Sequence, residues 1–253
     1  MSKEILKYPD TPTNYVDVDG IRYAYRMLGK HADIPLVCLQ HFTGTLDNWD
    51  PTIINGLAQD RCVVTIDNAG VGNSGGTTPD NVNDMSKIAV SIIKALDIKQ
   101  CDVLGYSLGG FIAQTIALTN PELFRKIILV GTAPQGTKAL QSFPQLVEKA
   151  FQQKGIEVYL YIFATKTEKS RALVTATFLR LQERKNDRDK ETGMPAIQAQ
   201  VKALTRWGTD PVTIKLSDIR QPVMIVQGSN DEMMDTDSSL TLFKQIPNAL
   251  PVP

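Results

Sequence analysis

Gly105-Tyr106-Ser107-Leu108-Gly109-Gly110 (GYSLGG) sits between Cys101-Asp102-Val103-Leu104 and an apolar run, 111–118 (FIAQTIAL). The first flank reads as a buried strand and the second as a helix. A chain that passes from strand to helix over so few residues must reverse sharply. Glycines on both sides of Ser107 allow that reversal, because a side chain there would meet the neighbouring strand and helix. The turn forces Ser107 into a strained backbone conformation and lifts its hydroxyl clear. The helix that follows points its N-terminus at the same place, which favours developing negative charge. The plainer alternative is a serine in a tight structural turn. A bare G-x-S-x-G is common by chance; the strand before and the helix after make Ser107 the candidate nucleophile.

Outward from this junction the chain alternates. Residues 14–18 and 21–28 alternate in polarity around Asp19-Gly20, which predicts a β-hairpin. Segments 35–40 (PLVCLQ), 62–67 (CVVTID), 100–104 and 126–130 (KIILV) read as buried strands. Helices are expected over 46–59, with Asp50-Pro51 at a break or first turn, over 80–96 and over 108–119. Strands separated by helices imply crossovers between parallel strands, hence an α/β fold with helices on both faces of the sheet. From about 133 to 217 no buried strand is legible, and helices are expected near 143–153, 158–163, 171–183 and 194–207. Within this stretch, 183–189 (ERKNDRD) reads as a solvated helix end or loop. Strand character returns at 222–227 (PVMIVQ). The division expected is 1–133 and 218–253 as an α/β core, with 134–217 as a helical cap.

The bulk numbers narrow the function. Twenty-seven basic residues balance 27 acidic ones over 253 residues. That balance argues against broad attraction to nucleic acid or an acidic membrane surface. The opening MSKEILKYPDTPT lacks the apolar run of a signal peptide, and no stretch approaches the ~20 apolar residues of a membrane span. Cys38, Cys62 and Cys101 lie in or beside strand-like runs without metal-ligand spacing, so they read as small buried hydrophobes. The expectation is a cytoplasmic protein acting on a small molecule, with no cofactor or metal, no nucleic-acid partner and no membrane.

Three more loops leave strand ends on the rim that carries Ser107. His41-Phe42-Thr43-Gly44 follows the strand 35–40, and the backbone N–H groups of Phe42 and Leu108 are candidates to hold an oxyanion. Residues 67–76 (DNAGVGNSGG) are glycine-rich but lack a Walker lysine and do not open into a helix, so they read as a structural loop. Gln227-Gly228-Ser229-Asn230-Asp231-Glu232 follows the strand 222–226. Asp231 is its candidate acid, ahead of Glu232 and Asp235, although Asp and Asn are also ordinary turn residues.

QHFTGT, DNAGVGNSGG, GYSLGG and QGSNDE, in this order and spacing, resemble the α/β-hydrolase superfamily over nearly the whole chain. Within it the sequence is similar to bacterial esterase, perhydrolase and haloperoxidase-like proteins. The resemblance implies Ser107 as nucleophile, Asp231 as triad acid, the Phe42 and Leu108 amides as oxyanion hole, and a seryl acyl-enzyme on a small ester or related carbonyl compound. Serine at the elbow departs from the aspartate of epoxide hydrolases and haloalkane dehalogenases. The resemblance also implies a histidine on a loop beyond one further strand after the acid. The 253 residues contain His31 and His41 and no histidine after Ser107. The last strand and helix of the fold are therefore expected to be missing, with Pro251 and Pro253 weakening any ladder. His41 is a poor substitute base unless it reaches the hydroxyl within about 3 Å and is oriented by a carboxylate. His31 lies in a polar turn. A very weak hydrolase is expected, with a non-catalytic ligand-binding protein as the alternative.

Overall fold

The computed structural model describes residues 6–30, 34–231 and 233–252, with backbone alone at 251 and 252. His31 and Glu232 lie outside the described residues. Eight strands form one sheet: β1 (Asn14–Val18), β2 (Ile21–Gly29), β3 (Leu36–Leu39), β4 (Cys62–Ile66), β5 (Cys101–Tyr106), β6 (Phe124–Val130), β7 (Val223–Val226) and β8 (Ala249–Val252). Their spatial order is β1-β2-β4-β3-β5-β6-β7-β8. The hairpin turn forms where expected, with Asp19 and Gly20 both at positive φ, 53° and 80°. β2 pairs antiparallel with β4; from β4 onward every pairing is parallel.

Parallel strands need crossovers, and these are α1 (Pro51–Leu57), α2 (Val82–Ala95) and α3 (Leu108–Thr119), with α8 (Thr236–Gln245) joining β7 to β8. The expected helix over 46–59 divides into a 3₁₀ turn, Leu46–Asn48, and α1, because Pro51 cannot continue a helix and Asp50 caps the new one by accepting from the Thr52 amide at 2.9 Å. α2 begins at Asn81, whose side chain caps the Asp84 amide, and buries Val82, Met85, Ala89, Ile92 and Ile93 at helical spacing. α3 is apolar all round, and its residues from Leu108 to Ala117 are all buried. Phe111, Ile112 and Ile116 are fully inaccessible, each contributing about 1.5–3 kcal/mol of apolar burial. α3 is thus a core helix, and its N-terminus is held rigidly.

Between β6 and β7 lie α4 (Phe143–Phe151), α5 (Ile156–Phe163), α6 (Glu168–Arg180) and α7 (Met194–Thr209). α7 anchors this insertion: Trp207 stacks on Phe111 of α3, ring centroids 4.9 Å apart and planes at 10°, and its indole N–H donates to the Ala133 carbonyl.

Two expectations are corrected. The last strand is formed: β8 pairs in parallel register with β7, Val223 opposite Ala249 and Val226 opposite Val252. Pro251 is tolerated because β8 lies at the sheet edge, where a missing N–H costs no ladder bond on the open side. The segment 183–189 is also not simply solvated. Arg184 is 6% exposed, and its guanidinium donates to the carbonyls of Pro9 and Thr11. The Asp189 carboxylate, almost fully buried, accepts from the Asp47 amide and from Asn73 Nδ2, while the Asp189 amide donates back to the Asp47 carboxylate at 2.9 Å. Arg26 closes the cluster with an ion pair to Asp47 at 2.7 Å. These buried charges answer one another across more than 140 residues of sequence.

Candidate active site

The turn at Ser107 has the strain its neighbours require. Ser107 lies at φ 51°, ψ −114°, a region that L residues rarely adopt. The surroundings hold it there. Its amide donates to the Val130 carbonyl at 2.9 Å, and its own carbonyl accepts from the Thr132 hydroxyl and the Gly110 amide, both at 2.8 Å. A Cβ at position 105 would stand 2.5 Å from the Gly109 carbonyl oxygen, and one at 109 would collide with the Leu39 backbone. Glycine at these two positions lets α3 start directly against the end of β3. Among the described residues nothing hydrogen-bonds the Ser107 hydroxyl, which faces a cavity of about 530 Å³.

His41, Phe42, Ser107, Gly131 and Asp231 all line this cavity, together with apolar residues of the insertion, Phe143, Val147 and Ile162 among them. The strand ends and the inserted helices therefore meet at one site. Among the described residues the amides of Phe42 and Leu108 donate to no backbone or side-chain acceptor. The Phe42 ring stands edge-on to Phe143, centroids 5.1 Å apart.

The loop that carries Phe42 is clamped from the insertion, which the sequence reading did not find. Gln200 of α7, fully buried, accepts from the Thr43 amide at 2.7 Å, and the Thr192 hydroxyl donates to the Thr43 carbonyl at 2.7 Å. Thr43 sits at φ 59°. Both backbone groups of one strained residue are thus held by side chains some 150 positions away. A glutamine at helical spacing from Ala196, Ala203, Leu204 and Trp207, on the apolar face of an amphipathic helix, is the signal that the sequence offered.

Asp231 is fixed as tightly. Its Oδ1 accepts from the amides of Met233 and Met234, both at 2.9 Å, and its Oδ2 from Gln227 Nε2 at 3.1 Å. Asp235 serves another purpose, capping α8 through the Ser238 amide at 2.7 Å. Burial, with the Asp231 carboxylate and Tyr159 nearby, pushes the Tyr106 phenol up to about 12. Asp67, in the glycine-rich loop, accepts from the amides of Leu46 and Asn73, so this loop ties the rim together. Burial and the nearby Asp189 carboxylate push its pKa well above the usual carboxylate range.

His41 is not arranged as a triad base. Its Nδ1 meets the Phe42 carbonyl oxygen at 2.7 Å, not a carboxylate, and no hydrogen bond joins it to Ser107. Burial lowers its pKa to about 4, so the ring is neutral at physiological pH. Among the described residues no group of three or more His, Cys, Asp and Glu side chains is placed to hold a metal ion. Nor, among them, is any helix long and apolar enough to cross a membrane.

The fold agrees with the comparisons to known proteins. A family model for the alpha/beta hydrolase fold matches residues 34–252. The solved structure of an alpha/beta hydrolase fold protein from Chitinophaga pinensis is 52% identical, covers 98% of this chain and 90% of its own, and superposes with a TM-score of 0.96. Of the curated relatives, "Putative carbamate hydrolase RutD" of Rhizobium rhizogenes is 27% identical over 76% of this chain and 72% of its own. The uncharacterized hydrolase YugF of Bacillus subtilis is 25% identical over 95% of this chain and 88% of its own. These curated relatives are hydrolases by name, and the chain described here belongs to the alpha/beta hydrolase fold family.

Proposed function

We propose that the site is that of a serine hydrolase lineage, in which Ser107 attacks the carbonyl of a small ester or related compound and becomes acylated. The observation that carries this reading is the strained Ser107, its hydroxyl unpartnered among the described residues and turned into the same cavity as the Asp231 carboxylate. In this reading the Phe42 and Leu108 amides take the oxyanion, and Asp231 is the acid that would orient an imidazole. The helices 134–217 act as a cap that walls the acyl pocket. A relative named for carbamate hydrolysis supports a carbonyl substrate of this kind.

Among the described residues no imidazole bridges Asp231 and Ser107. Removing the histidine of a serine protease triad costs about 10⁶ in turnover, roughly 8 kcal/mol of barrier. Turnover by this chain is therefore expected to be very low, while the strained hydroxyl still reacts once with a strong acylating or phosphonylating reagent. The test is incubation with a fluorophosphonate, peptide mass spectrometry, and a p-nitrophenyl acetate assay. Slow labelling at Ser107, absent in Ser107→Ala, with near-background turnover is the expected result. Labelling elsewhere, or ordinary esterase turnover that depends on Ser107, overturns one half of the reading or the other.

A second reading, a non-catalytic ligand-binding protein, is favoured by one contact. Gln227 already donates to Asp231 Oδ2, on the oxygen left free by the two backbone amides. Absence of any Ser107 labelling, with retained ligand binding, would select it.

A further inference from the structure

The cavity has a polar end that the acyl-transfer roles do not use. His41 Nδ1 lies 2.7 Å from a carbonyl oxygen, and a carbonyl can only accept. Nδ1 therefore carries the proton, and Nε2 presents a lone pair. Among the described residues nothing donates to that nitrogen. The ring is held edge-on by Tyr106 and Phe163, at centroid distances of 5.1 and 6.1 Å, so its plane is set by its neighbours. Opposite in character is the Tyr159 hydroxyl. It accepts from Asn48 Nδ2 at 3.0 Å, which leaves its own proton to donate. His41, Tyr159 and Asn48 all line the cavity.

The charges on the cavity wall are as informative. No lysine or arginine is among its described lining residues, and its carboxylate is that of Asp231. An anionic ligand would lose its hydration shell here, meet no cation and face a negative group. The remaining wall is largely aromatic and aliphatic, and the volume suits a ligand with a medium-length apolar chain.

We infer that His41 is a specificity residue whose Nε2 accepts a hydrogen bond from the ligand, so that the pocket selects an uncharged carbonyl compound carrying an apolar chain and an N–H or O–H donor. This deepens the acyl-pocket reading proposed above and rests on it for the identity of the cavity, but it concerns binding and needs no turnover. An amide or hydroxyl group close to the reacting carbonyl meets the requirement; a carboxylate does not.

Three isosteric, unreactive probes test it: octanamide, nonan-2-one and octanoate, titrated against the whole chain by ligand-observed NMR. The amide carries a donor, the ketone none, and octanoate a charge. One neutral hydrogen bond predicts that octanamide binds roughly 2- to 10-fold more tightly than the ketone, with octanoate weakest. In His41→Phe the amide's advantage disappears while ketone binding stays within about twofold. In His41→Gln, which keeps an acceptor, the advantage returns. Equal affinity of amide and ketone for the wild-type chain, or octanoate binding tightest, overturns the inference without recourse to any variant. Equal weakening of all three probes by His41→Phe also overturns it, because a merely structural role would do that. Fluorophosphonate labelling separates this outcome from the nucleophile reading: an intact amide preference with no labelling of the wild-type chain sinks only the latter.

Discussion

A neutral histidine buried against a backbone carbonyl leaves a thermodynamic trace. Burial holds the folded His41 pKa at about 4, below the 6.5 of an unfolded chain. Between those values the unfolded state binds the extra proton and the folded state does not. Stability is therefore full above pH 6.5 and falls as the pH drops toward 4. The full span is worth at most about 3.5 kcal/mol at 1.36 kcal/mol per pH unit. Denaturant unfolding from pH 8 to pH 4.5 should show this decline, and His41→Gln, which cannot titrate, should flatten it. An identical slope in both proteins would remove His41 as the cause. At this scale the sequence was most legible where chemistry and backbone demand coincide. Gly105, Ser107 and Gly109 were readable because a strand-to-helix reversal leaves few residue types that fit. The state of His41 was not, because it depends on a carbonyl one residue on and on rings from β5 and α5.

Elements were read well where burial imposes a period. β3, β4, β5 and β6 fall on the apolar runs that predicted them, and α2, α3 and α7 on the expected helices, since a core-facing helix or strand repeats its apolar positions along its own length. What escaped was contact between elements. The cluster of Arg26, Asp47, Arg184 and Asp189 was invisible in ERKNDRD, because a local charge run looks the same whether its partners are water or buried carboxylates. The clamp on the Phe42 loop escaped for the same reason. Gln200→Leu removes the acceptor of the Thr43 amide and leaves that N–H buried without a partner. The expected cost is about 1–3 kcal/mol of stability. The same substitution should slow fluorophosphonate labelling of Ser107 several-fold, since the Phe42 peptide would no longer be fixed beside the proposed oxyanion position. Labelling at the wild-type rate in a folded Gln200→Leu protein would show that the clamp serves stability alone. Gln200→Glu, which keeps an acceptor at the same length, should stay closer to the wild-type labelling rate.

At the scale of the whole molecule, the sheet carries an apolar row that its helices leave partly open. Ile128 of β6, Met224 of β7 and Leu250 of β8 are register partners across three parallel strands, so their side chains project from one face. Met224 is 40% exposed and Leu250 63% exposed, whereas their neighbours Val223 and Ile225, on the opposite face, are buried against α3 and α8 surroundings. A parallel sheet is ordinarily covered on both faces, and its strands are apolar on both for that reason. Among the described residues β7 and β8 have the two-sided composition with one side exposed, and no strand pairs with the outer edge of β8. The sequence carried this feature in PVMIVQ, read as a buried strand; the exposure of its Met224 follows only from which helices reach it. This chain should self-associate as its concentration rises, through apolar contact at β7 and β8. Sedimentation velocity from 5 to 200 µM should show a rising average sedimentation coefficient. Leu250→Lys should suppress that rise while leaving Ser107 labelling unchanged, because the substituted side chain lies away from the cavity lining. A lysine at an edge strand opposes both apolar contact and edge-to-edge pairing. Association that persists unchanged in Leu250→Lys and in Met224→Lys would place the contact elsewhere on the molecule.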